Sequence, residues 1–256
     1  MTVLAMALHK GGVGKTMSVA TLGVALAQRG QRVLLLDMDP QANLTMSLGY
    51  DPTDTTKLAT TIYDVLLRPE EGLGAALIDT EWGVDLVPAS LTLAGIELAF
   101  ANRIGRELAL QQALLAQRHH YDYILIDTPP SLGLSTILSL VAADSVLVPL
   151  QAHALALRAL PQLEETIRLT HALNPQLAIS GVLLTMVDRR TVLSQMVEEE
   201  ARDRYGATVF QTVIPLTIKL AEAPAVGQPI QAYAPESTAM LAYKQLTEEI
   251  LARYGS

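Results

Sequence analysis

Short apolar runs alternate with helix-patterned stretches along the whole chain, and this alternation constrains the fold more than any other feature. The runs Val3–Leu8, Val33–Leu36, Val84–Val87, Tyr123–Ile126, Ser145–Leu150, Ile179–Thr185 and Thr208–Ile214 predict strands. Between them Thr16–Gln28, Leu93–Gln117, Leu134–Ala142, Leu155–Leu173, Val192–Tyr205 and Thr238–Tyr254 carry helical patterns. Continuous apolar runs of this kind suit strands covered on both faces. Strand–helix–strand order with right-handed crossovers then implies an α/β fold with a doubly wound, mostly parallel sheet. No composition break, repeat or low-complexity tract divides residues 1–256, so one domain is expected. Gly49–Thr61, with Asp51-Pro52 and several threonines, reads as a mobile surface loop.

Composition removes whole classes of function. The net charge is −8, from 18 Lys+Arg against 26 Asp+Glu, so any nucleic-acid contact must be a local patch. The absence of cysteine excludes a disulfide framework, a thiolate-held iron–sulfur cluster, Cys-ligated zinc and a thiol nucleophile. The apolar stretch Val3–Leu8 is too short for a signal sequence and lacks a basic flank. No window approaches the roughly 20 apolar residues of a membrane span. A soluble, cytoplasmic protein with no membrane partner is expected.

The first strand runs into His9-Lys10-Gly11-Gly12-Val13-Gly14-Lys15-Thr16-Met17 and then a helical pattern. Gly14, Lys15 and Thr16 fit the phosphate loop G-x-x-x-x-G-K-[ST], while His9 holds its first glycine position. Glycines let backbone N–H groups converge on phosphate oxygens, and the helix N-terminus adds a positive dipole end. Lys15 would neutralise the β- and γ-phosphates and the Thr16 hydroxyl would ligate Mg²⁺. Two further apolar runs end in carboxylates, one in Asp37-Met38-Asp39 and one in Asp127. Ligands sit at the carboxyl ends of strands in open α/β sheets, so these acids should share the loop's edge. A single Asp there could be a turn-former, but two such endings beside a phosphate loop point to Mg²⁺ and water positioning. No Asn-Lys-x-Asp guanine-reading motif occurs, so adenine is the expected base.

Lys10-Gly-Gly-Val-Gly-Lys15-Thr16, Leu-Leu-Asp37-Met-Asp39-Pro-Gln41-Ala-Asn43 and Ile-Leu-Ile-Asp127-Thr-Pro-Pro130-Ser resemble the deviant Walker A, A′ and B motifs of the ParA/MinD ATPases. Thr185-Met186-Val187-Asp188 and Val213-Ile214-Pro215 through Pro224 resemble later blocks of the ParA branch, so the resemblance spans the chain in order. It implies a P-loop NTPase-like fold, ATP and Mg²⁺ as cofactors, and a homodimer with ATP at its interface. Lys10 would be the lysine that reaches the other subunit's phosphates, and Lys15 the conventional phosphate lysine. Gly11, Gly12, Val13, Gly14 and Met17 complete the nucleotide loop. Thr16 and Asp127 would hold Mg²⁺, Asp37 would support the metal shell, and Asp39 would orient the attacking water. Met186, Pro215 and Thr217 would frame the adenine.

Within the family, the missing cysteines disfavour the branches that depend on Cys pairs. Lys10 stands so near the N-terminus that no helix-turn-helix should precede it, which matches the small, Soj-like type. A MinD-like protein should end in a basic amphipathic helix. Here Leu241, Leu246 and Ile250 are accompanied by only Lys244 and Arg253 against Glu248 and Glu249, which reads as a packing helix. Small ParA proteins bind DNA without sequence preference, and the resemblance assigns that contact to Arg189, Arg190 and Lys219, with Arg202 and Arg204 nearby. The family's Arg-Asn after Ile-Pro becomes Leu216-Thr217, Leu8-His9 replaces Asn-Gln, and Ala42 replaces Gly. The implied function is a partition switch for chromosome or plasmid cargo, stimulated by a ParB-like or cargo-adaptor partner. The alternative is a MinD-like or cargo-positioning nucleotide-dependent scaffold.

Overall fold

The computed structural model describes residues 1–117, 119–153 and 157–255. Seven strands form one sheet: β1 (Thr2–Met6), β2 (Val33–Asp37), β3 (Ile78–Asp79), β4 (Asp85–Val87), β5 (Tyr123–Asp127), β6 (Ser145–Gln151) and β7 (Ile179–Thr185). Their order is β3-β4-β2-β5-β1-β6-β7, parallel throughout except for the β3–β4 pair. The helices between them, all within the described residues, are α1 (Lys15–Ala27), α2 (Asn43–Ser47), α3 (Ile62–Leu67), α4 (Ile96–Ala99), α5 (Ala109–Leu114) and α6 (Leu134–Ala142). The C-terminal half adds α7 (Leu160–Thr170), α8 (Val192–Tyr205), α9 (Lys219–Ala225), α10 (Ile230–Tyr233) and α11 (Thr238–Tyr254).

Because successive strand side chains point to opposite faces, each apolar strand feeds two cores. Leu34 and Leu36 of β2 and Ile124 and Ile126 of β5 pack on the side covered by α3, α5, α6 and α7. Val33 and Leu35, with Tyr123 and Leu125, pack on the side covered by α1 and α11. The doubly wound sheet expected from continuous apolar runs is therefore present. The chain moves outward from β1 to β2 and β4, then returns to insert β5 between β2 and β1. Met6, Asp127 and Asp37 stand side by side in register where β1, β5 and β2 end.

Three sequence expectations need correction. Thr208–Ile214 is not a strand: it meets β7 and its exit at the isolated bridges Val182–Val209 and Val187–Pro215, with a further bond from the Ile214 amide to the Leu184 carbonyl. The amides of Gln211 and Thr212 are diverted to the Glu249 carboxylate of α11, at 2.8 and 2.7 Å, so no continuous ladder forms. The seventh strand is instead the two-residue β3, too short to show a pattern. Leu93–Gln117 is not one helix but short helical turns broken at 101–105, where Gly105 takes φ +68°. There Arg103 donates to the Leu66 and Leu67 carbonyls, anchoring the break to α3. The helix expected over Leu155–Leu173 runs over Leu160–Thr170 after a 3₁₀ turn at Leu157–Ala159, and 154–156 lie outside the described residues. Gly49–Thr61 is an irregular loop, folded locally where Thr53 and Thr56 donate to the carboxylates of Asp51 and Asp54.

The C-terminal helix α11 packs as expected, burying Met240, Tyr243, Leu246 and Ile250 against the sheet and α1, while Leu241 stays half exposed. Among the described residues no helix is long and apolar enough to cross a membrane. Gly181 lets Phe210 and Leu147 close onto β7, since a Cβ there would lie 2.5 Å from the Phe210 ring and 2.6 Å from Leu147. Overpacking of this kind costs about 1–3 kcal/mol. Gly181→Ala is expected to lower stability by that amount in urea denaturation, because the ring is held in place by buried neighbours; an unchanged midpoint would show that Phe210 can swing away.

Candidate functional site

The loop between β1 and α1 closes around its own lysine. Gly12 and Gly14 take φ +71° and +89°, conformations that glycine adopts without a Cβ penalty. Gly14 stands as the N-cap of α1 with no side-chain cap, and no acidic residue lies in the first turn. The positive end of a 13-residue helix is thus left for an external anion. Lys15, buried to 6% exposure, donates to the carbonyls of Lys10 at 3.0 Å and Leu8 at 3.3 Å. Burial pushes its pKa down, opposed by the charges of Asp127 and Asp39. The Val13 carbonyl accepts the Thr185 hydroxyl at 2.8 Å, which ties the loop to the end of β7.

Three aspartates meet this loop. Thr16 donates to Asp127 Oδ2 at 2.7 Å, whereas Asp127 Oδ1 is buried with no hydrogen-bond partner. Burial, reinforced by the charge of Asp37, raises the Asp127 pKa well above the usual carboxylate range. Asp37 is fully buried and accepts from the Asp39 amide at 3.1 Å and from the Thr45 amide and hydroxyl at 2.9 and 2.7 Å. Its pKa still rises from 3.8 to about 6, because desolvation outweighs those three bonds. Asp39 receives the Gln41 amide at 2.9 Å and lines the cavity that opens beside the loop.

That cavity, about 1070 Å³, has a polar and an apolar end. Gly11, Gly12, Val13, Gly14, Lys15, Thr16 and Met17 line the first, with Asp39 and Asn43 opposite. Met186, Leu216, Thr217, Ile218, Leu220 and Pro224 line the second. Met186 reaches it from a left-handed backbone, φ 53°, directly after β7. Pro215 is not among the lining residues; it pairs with Val187 and holds the wall from behind. Nor do Lys10, Asp37 or Asp127 line the cavity. Among the described residues no three His, Asp or Glu side chains form a metal-holding group. The set Thr16, Asp37, Asp39 and Asp127 therefore does not form a cage, although Mg²⁺ commonly takes only one or two carboxylates beside phosphate oxygens.

Sequence reasoning missed Tyr243, whose hydroxyl meets Ser18 of α1 at 2.9 Å beneath the cavity, and Thr45, which holds Asp37. The first contact joins residues 225 apart and leaves no local signal. Lys219 adjoins the cavity-lining Ile218 and Leu220, Arg189 and Arg190 follow Met186 by three and four residues, and Arg202 and Arg204 stand in the last turn of α8. Arg190 is paired with Asp188 at 2.7 Å and Lys219 with Glu222 at 2.9 Å. Arg202 and Arg204 are held by Glu198 and Glu164, and Arg189 is exposed.

The family described as an AAA domain matches residues 1–179. The chain is 43% identical over 251 residues to the sporulation initiation inhibitor protein Soj of Bacillus subtilis, covering 98% of each. It is 43% identical over 256 residues to the chromosome partitioning protein ParA of Caulobacter vibrioides, covering 99% of this chain and 95% of that one. The chain belongs to the ParA/MinD family. A solved structure described as cobyrinic acid a,c-diamide synthase from Mycobacterium smegmatis, with bound ADP and magnesium, superposes with a TM-score of 0.86. That protein is 41% identical, with 100% of this chain and 96% of that chain covered.

The two buried aspartates make stability depend on pH. An acid whose folded pKa lies above its unfolded value binds more protons in the native state, so stability falls as pH rises through the interval. For Asp37 the interval is 3.8 to about 6, worth on the order of 3 kcal/mol. The ligand-free protein is expected to lose this contribution between pH 4 and 6, and Asp37→Asn to lose less. Urea midpoints measured across that range check it; parallel curves for the two proteins would show that Asp37 ionises normally.

Proposed function

We propose that this chain is a ParA-type ATPase switch that dimerises on ATP, binds DNA without sequence preference, and segregates or positions chromosome or plasmid cargo. A ParB-like or adaptor protein would stimulate its hydrolysis, and the protein would work in the cytoplasm, on the nucleoid when ATP-bound. The observation that carries this reading is the uncapped α1 N-terminus, with Lys15 folded into its loop beside Thr16, Asp127 and Asp39. The Soj and ParA relatives support its assignment to partition.

The residues fit a magnesium–nucleotide complex. Phosphate oxygens would replace the Lys10 and Leu8 carbonyls around the Lys15 ammonium. The Thr16 hydroxyl and the orphaned Asp127 oxygen would hold Mg²⁺, directly and through water respectively. Bound there, the ion would neutralise negative charge on the phosphates. Asp39 orients the attacking water and Asp37 fixes the backbone of that segment through the Asp39 and Thr45 amides. Met186 and Thr217 frame the base, with Pro215 behind them. Lys10 does not line its own cavity, which accords with a role on the partner subunit's phosphates. Phosphoryl transfer is governed by such positioning and charge stabilisation.

Lys15→Ala is expected to lose nucleotide affinity by about tenfold or more in calorimetry with ATP and Mg²⁺. Asp39→Ala should bind ATP and dimerise while phosphate release drops by at least about tenfold. Lys10→Ala should bind ATP yet turn over poorly, and wild-type turnover in that variant would remove the trans role. A second reading follows from the name of the Mycobacterium smegmatis protein, in which ATP would activate a carboxylic acid for amide formation. Phosphate release that responds to an acid substrate and ammonia, and not to DNA with a ParB-like protein, would favour it. Equal hydrolysis by Asp39→Ala and wild type would refute the role given to Asp39, whereas background-level phosphate release by wild type even with its partner would favour a scaffold switched by nucleotide binding alone.

A further inference from the structure

The basic surface beside the nucleotide cavity is largely neutralised by acids built into the same segments. Arg190 places Nε 2.9 Å from Asp188 Oδ1 and Nη2 2.7 Å from Oδ2, the two-pronged geometry with which a guanidinium grips a phosphate. Its side chain is 89% exposed, so the pair faces solvent. Lys219 donates to Glu222 Oε2 at 2.9 Å and lies over the Tyr233 ring at 5.4 Å; the Tyr233 hydroxyl reaches the same oxygen at 2.9 Å. Among the described residues of this patch, Arg189 is the cation that makes no ion pair with an acid.

We infer that Asp188 and Glu222 act as internal competitors for DNA phosphate, and that they set the affinity and salt range of DNA retention. This rests on the DNA-binding part of the proposed function. Asp188 lies two residues before Arg190 and Glu222 three after Lys219, so each acid is tethered at a high effective concentration. A phosphate meeting one protomer must displace it for little gain. A DNA duplex spanning both protomers of a dimer engages all the cations at once, and the linked contacts add multivalently. The acids therefore make retention depend on dimerisation, and keep the separated subunits off DNA. Arg189 supplies the positive charge that starts the contact. Glu222 sits on α9, whose Leu220, Ala221 and Pro224 line the nucleotide cavity, so the Lys219 pair is placed by the same helix that walls the nucleotide.

The test is retention on random-sequence duplex DNA across a salt series, with ATP and Mg²⁺, for wild type, Asp188→Asn, Glu222→Gln and the double variant. Both changes keep side-chain size and one accepting oxygen while removing the charge. The amide at 188 retains one of the two bonds from the Arg190 guanidinium, because an amide nitrogen cannot accept the other. The amide oxygen at 222 can still accept from Lys219 and Tyr233. Asp79→Asn combined with Glu81→Gln, at the β3–β4 hairpin on the opposite edge of the sheet, controls for the double variant's loss of two negative charges. The double variant is expected to bind about tenfold tighter than this control near 0.1 M salt. Its plot of log affinity against log salt should be steeper by ~3–4, about 0.9 for each of four cations released per dimer. Binding no tighter than the Asp79→Asn/Glu81→Gln control overturns the masking, while wild-type retention would still uphold the DNA reading. Retention of neither wild type nor double variant overturns both.

Discussion

Everything in the site depends on burying charge before any ligand arrives. Lys15, Asp37 and Asp127 are withdrawn from water at the junction of β1, β2 and β5, and each carries a pKa displaced against its charged form. Backbone groups offset part of this cost: two carbonyls around the lysine and two amides on Asp37. Asp127 Oδ1 is left without a partner. A fold that maintains such a centre must be rigid around it, and the continuous apolar strands with cores on both faces provide that rigidity. Substrate charge and a divalent ion are the natural complement of this arrangement. They would supply the compensation that the protein's own groups leave incomplete.

Much of this is legible in the sequence because it is local. The loop Lys10–Thr16, the strand-end aspartates and the strand–helix alternation are all encoded within short segments, and strand register then aligns Met6, Asp37 and Asp127. The pattern misleads where distant groups compete for the backbone. Apolar residues at 208–214 have the pattern of a strand, yet Glu249 from the last helix captures two amides that a ladder would use. The stretch from Leu93 to Gln117 has helical spacing, but Gly105 and the carbonyls that Arg103 reaches on α3 break it, leaving Leu98 and Ile104 exposed. The cavity lining as a whole draws on α2, α9 and α11, whose contributions depend on tertiary packing rather than a motif.

Counting charges along the sequence is similarly incomplete. Arg189, Arg190 and Lys219 together suggest a strong cationic face, but ion pairs with Asp188 and Glu222 cancel two of those charges in place. Exposed pairs of this kind contribute about 0–1 kcal/mol to stability. Their importance lies in what they allow the surface to attract.

The last helix has a consequence for how the protein is made. Ser18 meets Tyr243, and the amides of Gln211 and Thr212 meet Glu249, so both the phosphate-loop helix and the wall after β7 are fastened by residues synthesised long after the loop itself. A nascent chain can assemble β1 and its loop early, but the cavity floor arrives only once α11 has left the ribosome. A chain cut before α11 carries every motif yet lacks the Tyr243 side of the cavity.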